Sequence, residues 1–197
     1  MSVPKTAILT CVLLIAVTGS AMAADPGIVR GIYCHPGLAV DSRLWSNYGR
    51  GYTLDNSQAH SGSRSLRCRT DSDAEAQGAV QAIELNQATP RPIVVAGWAR
   101  LEGVAGPADY KCSVYVDLRL SDGKSWPMKI AAFDPGEAGW QYAESVHTPP
   151  APIASARVYV FLREKAGTAW FDDIYVGEVL DDSGTRSANL LRGADFE

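Results

Sequence analysis

Between residues 65 and 176 the apolar side chains recur at every second position, in eight short runs, and this period restricts the fold more than any other feature. The runs are "SLRC" (65–68), "AVQAIEL" (79–85), "PIVVAGWARL" (92–101), "CSVYVDLRL" (112–120), "MKIAAF" (128–133), "WQYAESVH" (140–147), "ARVYVFLR" (156–163) and "AWFDDIYV" (169–176). In an extended chain alternate side chains share a face, so each run presents one apolar and one mixed side. The runs are rich in Val, Ile, Tyr, Trp and Phe, and turn-prone stretches such as "SDGK", "DPGEAG" and "TPPAP" separate them. The one helix-like stretch, "DAEAQGAVQA", is weakened by Gly78. The chain is therefore expected to be all-β, a two-sheet antiparallel β-sandwich with jelly-roll or Greek-key connections.

The first residues read differently. Residues 1–23 carry an early Lys5, an apolar run from Ala7 to Val17 and the small residues Ala21-Met22-Ala23 at a cleavage position. That is the pattern of a secretory signal peptide, too short and wrongly flanked for a membrane anchor. Cys11 stands at the start of the apolar run, where a lipid attachment site is not expected. Residues 24–178 are assigned to the sandwich, and 179–197 to a linker and the start of a second, similar module. The protein is expected to be secreted, without membrane insertion.

Without the leader, 17 basic face 22 acidic residues. The basic residues are scattered, so no stripe suits nucleic acid. Cys34, Cys68 and Cys112 remain after processing. Export permits disulfides, an odd count leaves one thiol over, and the spacing fits no zinc pattern. One bridge in any of three pairings and three unpaired thiols both stay open.

Several segments taken in order resemble one group of modules: "AHSGSRSLRC" (59–68), "GAVQAIELNQ" (78–87), "VVAGWARLEGV" (94–104), "YVDLRLSDGKSW" (115–126), "GWQYAESVHTPPAPIASARVYVFLR" (139–163) and "GTAWFDDIYV" (167–176). Over about residues 40–178 the chain is similar to the galactose-binding-domain-like carbohydrate-binding modules appended to xylanases, glucanases and other secreted glycosidases. The resemblance implies a two-sheet jelly roll that binds polysaccharide or glycan without catalysis. It would target further domains of the same polypeptide to that ligand. The alternative is a structural or protein-interaction sandwich of a larger extracellular or cell-surface protein.

The resemblance also implies a structural Ca²⁺ at one end of the sandwich. Its matching positions are Gly62 and its neighbours in the loop and Asp172 in the last strand. Strict alternation puts Asp172 on one face with Trp170, Ile174 and Val176, where a carboxylate needs neutralising. Calcium would do so with oxygen ligands; loop amides or Arg64 are the other options. Such modules open on an Asn-rich strand ending in Phe-Glu. The stretch "GIVRGIYCHPGLAVDSRLW" lacks that ending, and Asp41 is the candidate substitute. The missing signature stands instead at "NLLRGADFE" (189–197), hence the expected second module; Phe196 is otherwise read as an exposed aromatic.

Sugar recognition uses aromatic faces against pyranose C–H surfaces, with polar groups for the hydroxyls. With Val114, Val116, Val158 and Val160 inward, alternation turns Tyr115, Asp117, Arg119, Tyr159, Phe161 and Arg163 outward, and these are the candidate carbohydrate-binding residues. The competing reading is cross-strand shielding. Trp140 and Trp170 are assigned to the core, Trp98 to either side, and Trp45, Tyr48, Tyr52 and Trp126 either to a rim or end site or to covering the sandwich ends. His35, His60 and His147 stand in no catalytic motif. Asp117 lacks an obvious carboxylate partner, Glu144 being the one to check. The protein is not expected to be an enzyme.

Overall fold

The computed structural model describes residues 44–197. The leader, Cys34, His35 and Asp41 lie outside the described residues. The eight runs become eight of ten strands: β1 (Ser46–Gly49), β2 (Thr53–Asp55), β3 (Ser65–Thr70), β4 (Ala76–Glu84), β5 (Ile93–Glu102), β6 (Cys112–Leu120), β7 (Ser125–Ala132), β8 (Trp140–His147), β9 (Ile153–Arg163) and β10 (Gly167–Glu178). They form two antiparallel five-stranded sheets, ordered β1-β4-β9-β6-β7 and β2-β3-β10-β5-β8. The helix-like "DAEAQGAVQA" is mostly strand β4, because its Ala79 and Ile83 have a sheet to bury against and Gly78 lowers helix propensity.

Alternation sorts the two layers. From β6 come Val114, Val116 and Leu118, and from β9 Val158, Val160 and Leu162, all essentially solvent-free. They meet Leu66 of β3, Val95 and Ala99 of β5, and Phe171, Ile174 and Val176 of β10. Removing each such side chain from water stabilises the fold by about 1.5–3 kcal/mol.

Strand β10 departs from strict alternation. In β10 the register on β5 shifts between Asp172, opposite Trp98, and Tyr175, opposite Ala96. Asp173 takes a left-handed backbone, φ +47°, which marks a β-bulge. The bulge reverses the inward phase: Ala169 and Phe171 face the core before it, Ile174 and Val176 after it. The expectation that Trp170 and Asp172 share a face with Ile174 and Val176 is thereby corrected. Gly97, opposite the bulge, has no side chain, and a Cβ there would lie 2.7 Å from Ile174 Cδ1.

Trp170 is buried, but on the outer side of its sheet, where its indole N–H donates to Asp55 Oδ2 at 3.0 Å. Trp140 also leaves the core: it is half-buried on the outer face and meets His60 edge-on at 5.8 Å. Trp98 turns outward and stacks under His60 at 3.8 Å.

The segment from Asn189 to Glu197 lies along the second half of β10. Ile174 N–H donates to the Ala194 carbonyl and Leu190 N–H to that of Val176. The Asn189 amide bonds both Val176 N–H and the Ile174 carbonyl. Gln81 of the other sheet grips Arg192 through both its N–H and its carbonyl. Phe196, expected to be exposed, is 1 % exposed and packs 5.7 Å from Trp45. Phe196→Ala is expected to cost about 3–5 kcal/mol in chemical denaturation; an unchanged midpoint would mean that this packing is absent in solution.

Candidate functional site

The outer face of the sheet containing β9 and β6 brings together most of the candidate binding residues. Register sets Val114 opposite Val160 and Val116 opposite Val158, both inward, so Tyr115 stands opposite Tyr159 on the outside. Their rings meet edge-on at 5.9 Å. Tyr48 of β1 joins from across β4, edge-on to Tyr159 at 5.5 Å and stacked on Phe161 at 5.1 Å. Between them Gly78 stands opposite Phe161, where a Cβ would lie 2.3 Å from the Val160 carbonyl oxygen. The glycine lets the phenylalanine ring lie close to the sheet.

Phe161 is 1 % exposed. It is the floor of the cluster, and the half-buried Tyr115, Tyr159 and Tyr48 form the wall that solvent reaches. Arg163 lies across this floor. Its guanidinium stands 4.4 Å from the Phe161 ring centre, 5.1 Å from Tyr110 and 5.4 Å from Tyr115, a cation–π arrangement that fixes its orientation. One Nη donates to the Tyr48 hydroxyl at 3.1 Å, while the buried Nε has no partner. A planar guanidinium held beside aromatic walls suits hydroxyl recognition.

Asp117 sits next along β6, opposite Arg157. A shift in the β6–β7 register places Met128 against it with φ +62°, and the Met128 amide donates to Asp117 Oδ1 at 3.3 Å. Burial and the Asp117 carboxylate push the Tyr115 phenol above its ordinary range, burial being the larger cause. Arg119 is exposed, opposite Ser155 and beside the Gly123 turn, away from the aromatic cluster. Sequence reasoning missed Tyr48 as a member of this face, because β1 follows β4 in space and not in sequence. It also missed Met128, 52 % exposed; Pro127 inside a strand signals the irregularity.

Asp117 and Glu144 do not meet. Glu144 lies on β8 of the other sheet, with both carboxylate oxygens on Arg186 at 2.7 and 2.8 Å. Trp126 lies apart from the aromatic cluster, with Lys129 4.0 Å above its ring and His147 edge-on at 6.4 Å.

At the bulge, the loop from Gln58 to Arg64 collects three carboxylates. Asp172, fully buried, accepts N–H bonds from His60 (2.8 Å), Ser61 (3.2 Å) and Asp173 (2.8 Å). Asp173 bonds the His60 imidazole at 2.7 Å and accepts from the Ser61 hydroxyl at 2.8 Å. Glu197 accepts from the Ser63 hydroxyl at 2.7 Å, from Arg64 N–H at 2.9 Å and from Ser63 N–H. Gly62, with φ +60°, lets the loop wrap the Glu197 carboxylate; a Cβ would lie 2.3 Å from Oε1. The carboxylates and hydroxyls are hard oxygen donors of the kind calcium takes. Among the described residues, no group of three or more His, Cys, Asp or Glu side chains converges as a metal cage. A calcium ion here would need carbonyl oxygens of the loop.

No protein-family model matches this chain, and no curated protein matches it. Solved structures do. The tandem CBM22-1–CBM22-2 domains of Paenibacillus barcinonensis Xyn10C align at 16 % identity over 75 % of this chain and 44 % of that one, with a TM-score of 0.51. The CBM22-1 xylan-binding domain of the same enzyme aligns at 15 % identity over 71 % and 88 %, with a TM-score of 0.49. A family 16 carbohydrate-binding module gives 16 % identity over 64 % and 84 %, also at 0.49. At these identities the likeness to the tandem domains is one of fold alone: the two share a two-sheet β-sandwich.

Burial raises the Asp172 carboxyl to about 6, against the opposing pull of the loop amides. A folded pKa above the unfolded one, near 4, means that the folded state holds the extra proton between those values, so this residue's contribution becomes more favourable as pH falls. Acidifying from pH 7 to 5 in chelator is expected to stabilise the wild type by about 1 kcal/mol relative to Asp172→Asn. Parallel pH profiles of the two proteins would refute the assignment.

Proposed function

We propose that this protein is a non-catalytic carbohydrate-binding module whose ligand, a polysaccharide or glycan, lies across the outer face of the β1-β4-β9-β6-β7 sheet. The observation that carries this reading is the Tyr48–Tyr115–Tyr159 wall around Arg163, whose guanidinium is held over the Phe161 ring. The tyrosine rings supply C–H contact surfaces, Arg163 and Asp117 supply hydroxyl partners, and Phe161 keeps the wall in place. Arg119 and Arg157 would meet only a ligand long enough to pass Asp117. The role is targeting: the module holds an attached domain of the same exported polypeptide on its substrate. Among the structurally similar modules one is a xylan-binding domain and another is seen in complex with β-1,4-galactotriose, which makes these two the first ligands to test.

Affinity electrophoresis in xylan and galactan gels is expected to retard the wild type. Tyr159→Ala or Tyr115→Ala is expected to weaken binding about tenfold or more, with the fold intact by circular dichroism. This magnitude follows from the loss of one aromatic contact of about 1.5 kcal/mol. Failure to bind any glycan on an array would favour the reading as a structural sandwich of a larger extracellular protein.

The same proposal includes a structural Ca²⁺ held by Asp172 and by backbone oxygens around Gly62, with Asp41 as a further candidate. A buried carboxylate with a raised pKa favours a neutralising partner. Adding millimolar Ca²⁺ to chelated protein at pH 7 is expected to raise the melting temperature, through binding to the folded state alone. This gain should vanish in Asp172→Ala. Indifference to both chelator and substitution would remove the ion from the proposal without touching the sugar face.

A further inference from the structure

The β2-β3-β10-β5-β8 sheet carries a second set of rings on its outer face. Val95 and Ala99 of β5 face the core, so Trp98 and Arg100 turn outward. Trp98 stands opposite Tyr142 of β8, and Arg100 opposite Trp140, which puts all four on one surface. His60, from the loop before β3, lies on Trp98 at 3.8 Å; Trp98 meets Tyr142 at 5.4 Å, and Trp140 meets His60 at 5.8 Å. The four rings make one platform that runs from the loop to the β8 edge of the sheet. None of the four belongs to the core cluster. Tyr142 is 50 % exposed, and Val146, further along the same outward row, 54 %. Exposed apolar side chains on an edge strand are an association hazard, and a patch that keeps them has a use for them.

Polar partners hold the rings in place. The left-handed Asp173 in the bulge carries the carboxylate that bonds the His60 imidazole at 2.7 Å. The Tyr142 hydroxyl donates to Glu144, which two bonds from Arg186 hold in turn. Arg100 pairs with Glu102 at 2.8 Å. Ring orientation is therefore set before a ligand arrives, which lowers the ordering cost of binding. Each of these acids and arginines already has a partner. A charged ligand would have to break a pair. A neutral polyhydroxyl ligand need not: its C–H face can lie on the rings while its hydroxyls meet the outer oxygens and N–H groups. Size points the same way. Trp98, Trp140 and Tyr142, of about 150–250 Å² each and half covered or more, expose a few hundred Å² at most. A stable protein interface takes about 800 Å² from each partner.

We propose that this platform is a second carbohydrate site, for a short stretch of neutral pyranose units, on the opposite side of the sandwich from the tyrosine wall. It shares a ligand class with the function proposed above, and no residue. Tyr142 and Trp140 supply the ring faces, and Asp173 and Arg100 stand beside them as hydroxyl partners. Because the two faces look in opposite directions, one module would bridge two polysaccharide strands, where a single site would only hold one.

The test puts the full chain on an array of neutral and uronic-acid glycans, as wild type, Tyr159→Ala, Tyr142→Ala and the double variant, each checked for folding by circular dichroism. Tyr159→Ala is expected to keep part of the neutral-glycan signal, and the added Tyr142→Ala to lower that part about tenfold. Titration calorimetry with the strongest neutral glycan should count two sites per wild-type chain. The tyrosine wall contains no tryptophan, so tryptophan emission reads the second site alone. A saturable change in emission should survive Tyr159→Ala and need about tenfold more glycan in Tyr142→Ala. Neutral-glycan binding and emission that ignore Tyr142→Ala would overturn the second site and leave the tyrosine wall standing; binding that ignores Tyr159→Ala but falls in Tyr142→Ala would do the reverse. A response confined to uronic-acid glycans would also overturn this site, as would a dimer that dissociates in Tyr142→Ala, which would give the face to a second copy. Binding to no glycan at all would overturn both.

Discussion

The register of β6 against β9 is the constraint on which core and candidate site both rest. Val114 faces Val160 and Val116 faces Val158, and burial of these four side chains leaves one alignment in which the outward residues are Tyr115 and Tyr159. A slip of one residue would drive Asp117 and Arg157 into the interior and expose the valines, which costs several kcal/mol per buried charge. The position of the aromatic wall is thus a by-product of hydrophobic sorting. Its composition is not: a sheet needs outward polar residues for solubility, and this one carries three tyrosines, a buried phenylalanine and a guanidinium held on ring faces.

The bulge in β10 organises the opposite end. One residue in the left-handed region, Asp173, reverses the phase of the strand. It frees Asp172 to take loop amides, frees Asp173 to hold His60, and offers Ile174 N–H to the Ala194 carbonyl. Three segments distant in sequence, the loop from Gln58 to Arg64, the end of β10 and the residues from Asn189 to Glu197, converge there through carboxylates. His60 stacking on Trp98, with Trp140 edge-on, gives those tryptophans work on the outer face. Their absence from the core follows directly.

How much was legible depended on how local the cause was. The two-layer fold, the inward valines and the outward Tyr115, Asp117, Tyr159 and Arg163 all follow from period two and are found where alternation puts them. Phe161 shows the limit: the pattern turns it outward correctly, yet Tyr48 covers it, and no rule of spacing pairs a residue of β1 with one of β9. Trp170, Asp172 and Phe196 were misplaced for a related reason, since one bulge and one returning segment undo the phase and exposure read along a single strand.

The sequence by itself determined the class of fold and the identity of the buried stripes, because the burial of alternating apolar side chains is a local property summed along each strand. Only the tertiary structure decided which outward residues meet. It set Tyr48 beside Tyr159, Arg163 over Phe161, and Asp172 under the amides of His60 and Ser61. Strand order in a sandwich is fixed by contacts between segments more than a hundred residues apart in the extreme case, and nothing in the spacing of neighbours encodes such contacts.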